Sequence, residues 1–230
     1  MITGASRGLG AALAERFAAE GATLVLTART PGALEAIDDK VRAAGGRATL
    51  VPLDLADVQA IDQLGGALAQ RFGRLDVLVA GAGELGSLSP LGHIPPAAFA
   101  QVMAVNTTAN YRLIRSLDAL LRASPAGRAI FVTCAQARAG KPFWGGYAAS
   151  KAALEALVMA YATEMRRSTV RVNLIDPGPL RTRLRAQAYP GEDPGKLPEP
   201  STVTDAFVAL AETACAQHGE LIDAANSGSR

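Results

Sequence analysis

Cysteine and histidine are scarce, two of each in 230 residues. Cys134 and Cys215 are too few for a disulfide scaffold or a four-cysteine zinc site. His93 and His218 lie far apart in the chain, so a histidine metal centre is not expected either. No apolar run approaches the ~18–20 residues that a membrane span needs. The N-terminus lacks the charged-then-apolar pattern of a signal peptide. Neither charge sign dominates: the net charge is +2, and the basic residues, mostly Arg, are scattered. A scattered charge leaves no nucleic-acid footprint. Hydrophobic residues make up 49% and charged residues 19%, which excludes a disordered chain. The expectation is a soluble, cytoplasmic protein without membrane or nucleic-acid partners. Residues 1–225 are expected to form one domain, and the tail Asn226–Arg230 (NSGSR) to be unstructured.

What the chain does have is alternation. Apolar, β-rich runs at Thr23–Ala28, Ala48–Leu53, Leu75–Ala80, Ala129–Cys134, Val170–Ile175 and Glu220–Asp223 read as strands. Helical patterns separate them: Ala11–Glu20, Gly32–Ala44 after Pro31, Val58–Phe72 with Asp57 as N-cap, a region from Pro96 to Arg122, and Tyr147–Arg167. Strands that are apolar throughout belong to parallel sheets covered on both faces. Right-handed crossovers then give an α/β, doubly wound parallel sheet in three layers, α/β/α. The Pro/Gly-rich stretch Pro177–Pro200 reads as a functional loop. Only Met1, Ile2 and Thr3 precede the first Gly-rich turn. Either the first strand is short or residues upstream of it are missing.

That turn, Thr3–Gly10 (TGASRGLG), leads straight into a helix. Gly4, Gly8 and Gly10 permit a tight bend and close backbone approach. The helix behind them aims free N–H groups and a positive dipole end at a phosphate. The spacing is neither G-x-G-x-x-G nor a P-loop. After the second strand stands Arg29, where an acid would favour NAD. Arg29, with Arg7 in the turn, can instead pair with a 2′-phosphate, which favours NADP(H) over NAD(H).

Tyr147 and Lys151 stand four apart in YAASK and so share a helix face. A nearby ammonium stabilises a phenolate, and a tuned Tyr can exchange a proton with a carbonyl or alcohol. TGxxxGxG at the start, YxxxK near residue 150 and an alternating α/β chain of this length together resemble the single-domain short-chain dehydrogenase/reductase family, from about Ile2 to Asp223. The resemblance implies about seven parallel strands in a Rossmann-like sheet. It implies an oxidoreductase that moves a hydride between NADP(H) and a small carbonyl or alcohol. Tyr147 would be the acid/base. Lys151 would lower its pKa and hold the nicotinamide ribose. Asn106 in AVNTT would hold a water linking Lys151 to solvent. Cofactor contacts would come from Gly4, Ser6, Arg7, Gly8, Leu9 and Gly10, from Arg29, from Asp54 and Leu55 in DLAD, from Ala82 and Gly83, from Tyr147 and Lys151, and from Pro177, Gly178 and Thr182. A homodimer or homotetramer with the YxxxK helix at its interface is implied as well.

One departure bears on chemistry. The family's substrate-binding Ser falls here at Cys134. A thiol is a weak donor, and loss of a good oxyanion donor costs ~10²–10³ in rate. The alternative to an active reductase is therefore a catalytically impaired NADP-binding relative, a sensor or partner subunit. Two readings of the thiol itself stand: a reactive Cys with a lowered pKa beside Lys151, or an inert, buried one. The NNAG stretch of the family is AGAG here, Ala80–Gly83. Arg181, Arg183 and Arg185 in the loop could attract an acidic substrate, whereas Phe143, Trp144 and Tyr189 would suit an apolar one.

Overall fold

A computed structural model describes residues 1–225; the expected tail lies outside them. Seven parallel strands form one sheet in the order β3-β2-β1-β4-β5-β6-β7. They are β1 (Ile2–Thr3), β2 (Thr23–Ala28), β3 (Arg47–Pro52), β4 (Val77–Ala80), β5 (Arg128–Val132), β6 (Arg171–Asp176) and β7 (Leu221–Asp223). The helices are α1 (Gly8–Ala19), α2 (Pro31–Ala43), α3 (Val58–Phe72), α4 (Pro96–Met103), α5 (Ala109–Arg122), α6 (Gln136–Ala139), α7 (Gly145–Met165), α8 (Arg183–Ala188) and α9 (Thr204–Ala211). The chain winds outward from β1 to β3, then returns to lay β4 on the other side of β1. That reversal opens a crevice at the carboxyl ends of β1 and β4, where such sheets bind ligands.

Side chains on alternate strand residues face opposite layers. Leu78, Phe131 and Leu174 pack with α3, α5 and α7 through Leu64, Leu117 and Leu154. Their neighbours Val79, Ile130 and Ile175 pack with α1, α2 and α9 through Phe17, Leu34 and Phe207. Burial of each such side chain contributes about 1.5–3 kcal/mol. Asp57 caps α3 by accepting from the N–H groups of Gln59 and Ala60. Buried Arg128 donates to the carbonyls of Glu212, Thr213 and Gly127, which ties the segment before β7 to the sheet.

Three features depart from the sequence pattern, whereas the shortness of β1 is one of the two readings it left open. β1 is two residues long, yet central; the Met1 amine extends its ladder by donating to the Val77 carbonyl, 2.7 Å away. Burial pushes that amine down to about 5, with Asp76 opposing. β4 starts at Val77 because the Leu75 N–H is taken by the Leu120 carbonyl. The helical region from Pro96 to Arg122 is broken by a π-helical turn, Ala104–Thr108. The stretch after β6 is not plain loop, since it holds α8 and two 3₁₀ turns.

Candidate active site

The crevice is a cleft of about 1330 Å³. One wall is the turn between β1 and α1. Gly4 sits at φ +71°, and a Cβ there would stand 2.8 Å from the Ala82 backbone. A Cβ on Gly10 would stand 2.3 Å from the Gly4 carbonyl oxygen. Only glycine lets the first turn of α1 press this closely on β1. Ser6, Gly8 and Leu9 line the same wall, and Arg7 and Arg29 line it as exposed residues without an ion-pair partner among the described residues. Asp54 and Leu55 follow β3, Ala82 and Gly83 follow β4, and Pro177, Gly178 and Thr182 follow β6; all line the cleft. Asp54 itself accepts from the Ala56 N–H at 3.0 Å.

At the base of the cleft α7 presents Tyr147 and Lys151, both buried. Lys151 Nζ donates to the Val132 carbonyl at 2.9 Å and lies 6.0 Å from the Tyr147 ring centroid. Cys134, just past β5, packs against the cluster that contains Tyr147. Thr133 beside it also lines the cleft, but its hydroxyl is bonded to Glu155 Oε1 at 2.6 Å.

Burial dominates the electrostatics. Reinforced by Cys134 and Asp176, it holds the Tyr147 phenol well above its ordinary pKa. Burial also pushes the Cys134 thiol up, and it outweighs Lys151, Tyr147 and the N–H groups of Ala137 and Gln136. The reactive-thiolate reading of Cys134 therefore falls. Burial lowers Lys151, with Cys134, Glu155 and Asp176 opposing.

Among the expected catalytic and cofactor-binding residues, Asn106 alone does not line the cleft. It lies fully buried in the π turn. Its Oδ1 accepts from the Glu84 N–H, and its Nδ2 donates to the Glu84 carbonyl and to Ser150 Oγ, at 2.8, 2.8 and 2.9 Å. Ser150 Oγ in turn donates to the Tyr147 carbonyl at 2.7 Å. The amide thus locks the end of the β4 loop to the turn of α7 that carries the Tyr/Lys pair. A Cβ on Gly83 would stand 3.6 Å from both Asn106 Oδ1 and Lys151 Nζ, so its absence leaves a small gap between them.

Several contributors were not singled out from the sequence: Ser150, Glu84, Asp176 and Glu155. Ser150 was the most accessible, since it sits inside YAASK. Asp176, at the end of β6, accepts from the Gly178 N–H at 2.9 Å and faces Arg138 at 3.8 Å; burial raises its pKa first, against that N–H and Arg138. The loop arginines are mostly neutralised: Arg181 pairs with Glu199, and Arg185 pairs through two nitrogens with Glu192. Phe143, expected as an apolar wall, is exposed at φ +72° and lies outside the cleft. Trp144 and Tyr189 do line it.

Comparison with known proteins agrees with this arrangement. Residues 1–193 match the short chain dehydrogenase family. The chain belongs to that family. It is 35% identical over 213 residues to the uncharacterized oxidoreductase YciK of Escherichia coli K12, covering 91% of this chain and 84% of that one. A Shigella flexneri structure described as a short chain dehydrogenase complexed with NADP superimposes with a TM-score of 0.93 at 33% identity, over 97% of this chain and 96% of that one. An Escherichia coli CFT073 structure described in the same way, complexed with NADPH, gives 0.91 at 34% identity, over 97% and 95%. The chain is therefore a short-chain dehydrogenase-type oxidoreductase with a seven-stranded Rossmann-like sheet. Among the described residues no helix is long and apolar enough to cross a membrane.

Proposed function

We propose that this dehydrogenase interconverts a small carbonyl compound and its alcohol with NADP(H), using Tyr147 as the acid/base. The carrying observation is the Tyr147–Lys151 pair at the base of a glycine-walled cleft, with Cys134 packed beside Tyr147. The glycine wall, where Cβ atoms at positions 4 and 10 would meet backbone, suits a pyrophosphate against the N-terminus of α1. Arg7 and Arg29, without an ion-pair partner among the described residues, suit a 2′-phosphate, and two related structures hold NADP or NADPH. Asp54 and Leu55 would border the adenine, and Pro177, Gly178 and Thr182 the nicotinamide.

When bound, NADP(H) supplies or accepts the hydride. The protein's own residues handle the proton. In the reducing direction the neutral Tyr147 hydroxyl donates to the carbonyl oxygen, and Cys134 gives a second, weaker bond to the same oxygen. Lys151 keeps an ammonium within reach of the phenolate left behind. Gly83 lies between Asn106 and Lys151, where Asn106 would hold a water toward Lys151. The impaired-relative alternative is not favoured, since the family match and the relatives support an oxidoreductase. A homodimer or homotetramer through α7 belongs to the same proposal.

Tyr147→Phe tests it. NADPH oxidation with a panel of ketones should fall ~10²-fold or more, while NADPH binding by fluorescence titration persists. Turnover unchanged in that variant overturns the assignment. Arg29→Asp should weaken NADPH about tenfold or more, the worth of one charged hydrogen bond, and leave NADH within about twofold. Equal loss for both dinucleotides would remove Arg29 from the 2′-phosphate site.

A further inference from the structure

Behind the floor of the cleft lies a group of charges that the proposed proton transfer does not use. Thr133 and Asp176 line the cleft, whereas Arg138 and Glu155 do not. Arg138 sits in α6, one turn past Cys134. That turn is closed by the Ala137 N–H on the Cys134 carbonyl and the Arg138 N–H on the Ala135 carbonyl, both at 3.1 Å. The Arg138 guanidinium reaches carboxylates on two other elements. One nitrogen donates to Glu155 Oε1, on α7 one turn beyond Lys151. Another faces Asp176 Oδ2, at the end of β6, at 3.8 Å. Thr133 Oγ1 donates to the same Glu155 oxygen at 2.6 Å, and Asp176 Oδ1 accepts from the Gly178 N–H at 2.9 Å. One side chain thereby joins the Cys134 turn, the helix of the Tyr/Lys pair and the segment assigned above to the nicotinamide.

The two carboxylates are shielded, at 16% and 13% exposure against 43% for Arg138. Their charge is therefore screened less than that of an open surface pair. Both act on the site. Burial lowers Lys151, and Cys134, Glu155 and Asp176 oppose it. Burial raises Tyr147, and Cys134 and Asp176 add to it. Burial likewise raises Asp176, with Arg138 working against it and Glu155 and Asp223 of β7 working with it. The other cations stand elsewhere: Arg183 lines the cleft itself, and Lys141 and Arg185 lie against Tyr189. Among the described residues only Arg138 is ion-paired with either carboxylate.

We propose that Arg138 is a positioning residue of this site. By bridging Glu155 and Asp176 it holds the Cys134 turn, α7 and the end of β6 together, and it balances two negative charges behind Tyr147 and Lys151. Only its effect on turnover rests on the reductase reading above.

Two variants break the same bridge with opposite change of charge. Arg138→Gln makes the ground behind the site more negative by one charge. Glu155→Gln makes it less negative by one, and its amide oxygen can still accept from Thr133. The full chain is alkylated with iodoacetamide across the alkaline range, and the rate at Cys134 is followed by peptide mass spectrometry, apart from Cys215. The midpoint for Cys134 should rise by about half a pH unit in Arg138→Gln and fall by about half a unit in Glu155→Gln. Arg138→Lys, which keeps the charge, should restore the wild-type midpoint. The alkaline limb of NADPH oxidation with the ketone panel should move in the same two directions, because neutral Tyr147 is the proton donor. Shifts of one sign in both glutamine variants, or none, at Cys134 or in the turnover limb, overturn the proposal, since a bridge that serves packing alone would loosen the site alike in both. Opposite shifts at Cys134 with no NADPH oxidation on any ketone uphold the bridge and overturn the reductase reading instead.

Discussion

Sulfur for oxygen at position 134 changes one donor without dismantling the site. The thiol stays packed beside Tyr147, but S–H is a poor donor to a carbonyl oxygen. Cys134→Ser should therefore raise kcat about tenfold or more, since one good oxyanion donor is worth ~10²–10³. Cys134→Ala should lower it. Steady-state kinetics on one ketone decides both, and a fall in Cys134→Ser would show that the site is built around sulfur. Burial keeps the thiol protonated at neutral pH, so iodoacetamide should label Cys134 more slowly than a free thiol, as read by mass spectrometry. The position was legible from its distance to Tyr147, but its protonation was not. Protonation depends on burial against Leu85, Trp144 and Tyr147, and nothing in the local sequence reports that closure.

Two adjacent glycines in α3 show how much element packing turns on a single Cβ. Gly65 faces α5: a Cβ there would stand 2.2 Å from the Ser116 carbonyl oxygen. Gly66 faces open space. Gly65→Ala should push α3 off α5 and cost about 1–3 kcal/mol. Gly66→Ala should stabilise by about 0.5–1 kcal/mol through helix propensity alone. Urea unfolding separates them, and effects of the same sign would show that α3 does not lie on α5 as described. The extent of α3 could be read from Asp57 and its apolar spacing, and β2 from an unbroken apolar run. The π turn at Ala104–Thr108 could not, because one i→i+5 turn hardly disturbs the helical period. Pro and Gly around α8 hid it for a related reason: they signal breaks, while the helix itself is held by Thr182 as its cap and by the Arg185–Glu192 pair.

At the scale of the whole molecule, alternating apolar strands and helices made the doubly wound sheet readable, and the order of the motifs placed the cleft. What α7 meets on its outer side is a different question. Its inner face carries Leu154, Val158 and Met165 into the core and Tyr147 and Lys151 into the site. Its outer face shows Ala152, Ala156 and Ala160 with Met159 at 42% exposure, and Tyr111 of neighbouring α5 is 45% exposed. Small residues let a second helix approach closely, and a large side chain at their edge gives it something to bury. A two-fold axis beside α7 would set like faces together. Sedimentation at micromolar concentration should then find a dimer or tetramer, and Ala156→Arg should yield monomers by placing two desolvated cations across the axis. Tyr147 and Lys151 lie on the same helix, so monomerisation should also lower ketone turnover and the melting temperature together. A wild-type chain that sediments as a monomer with full activity would leave α7 supported by its own domain alone.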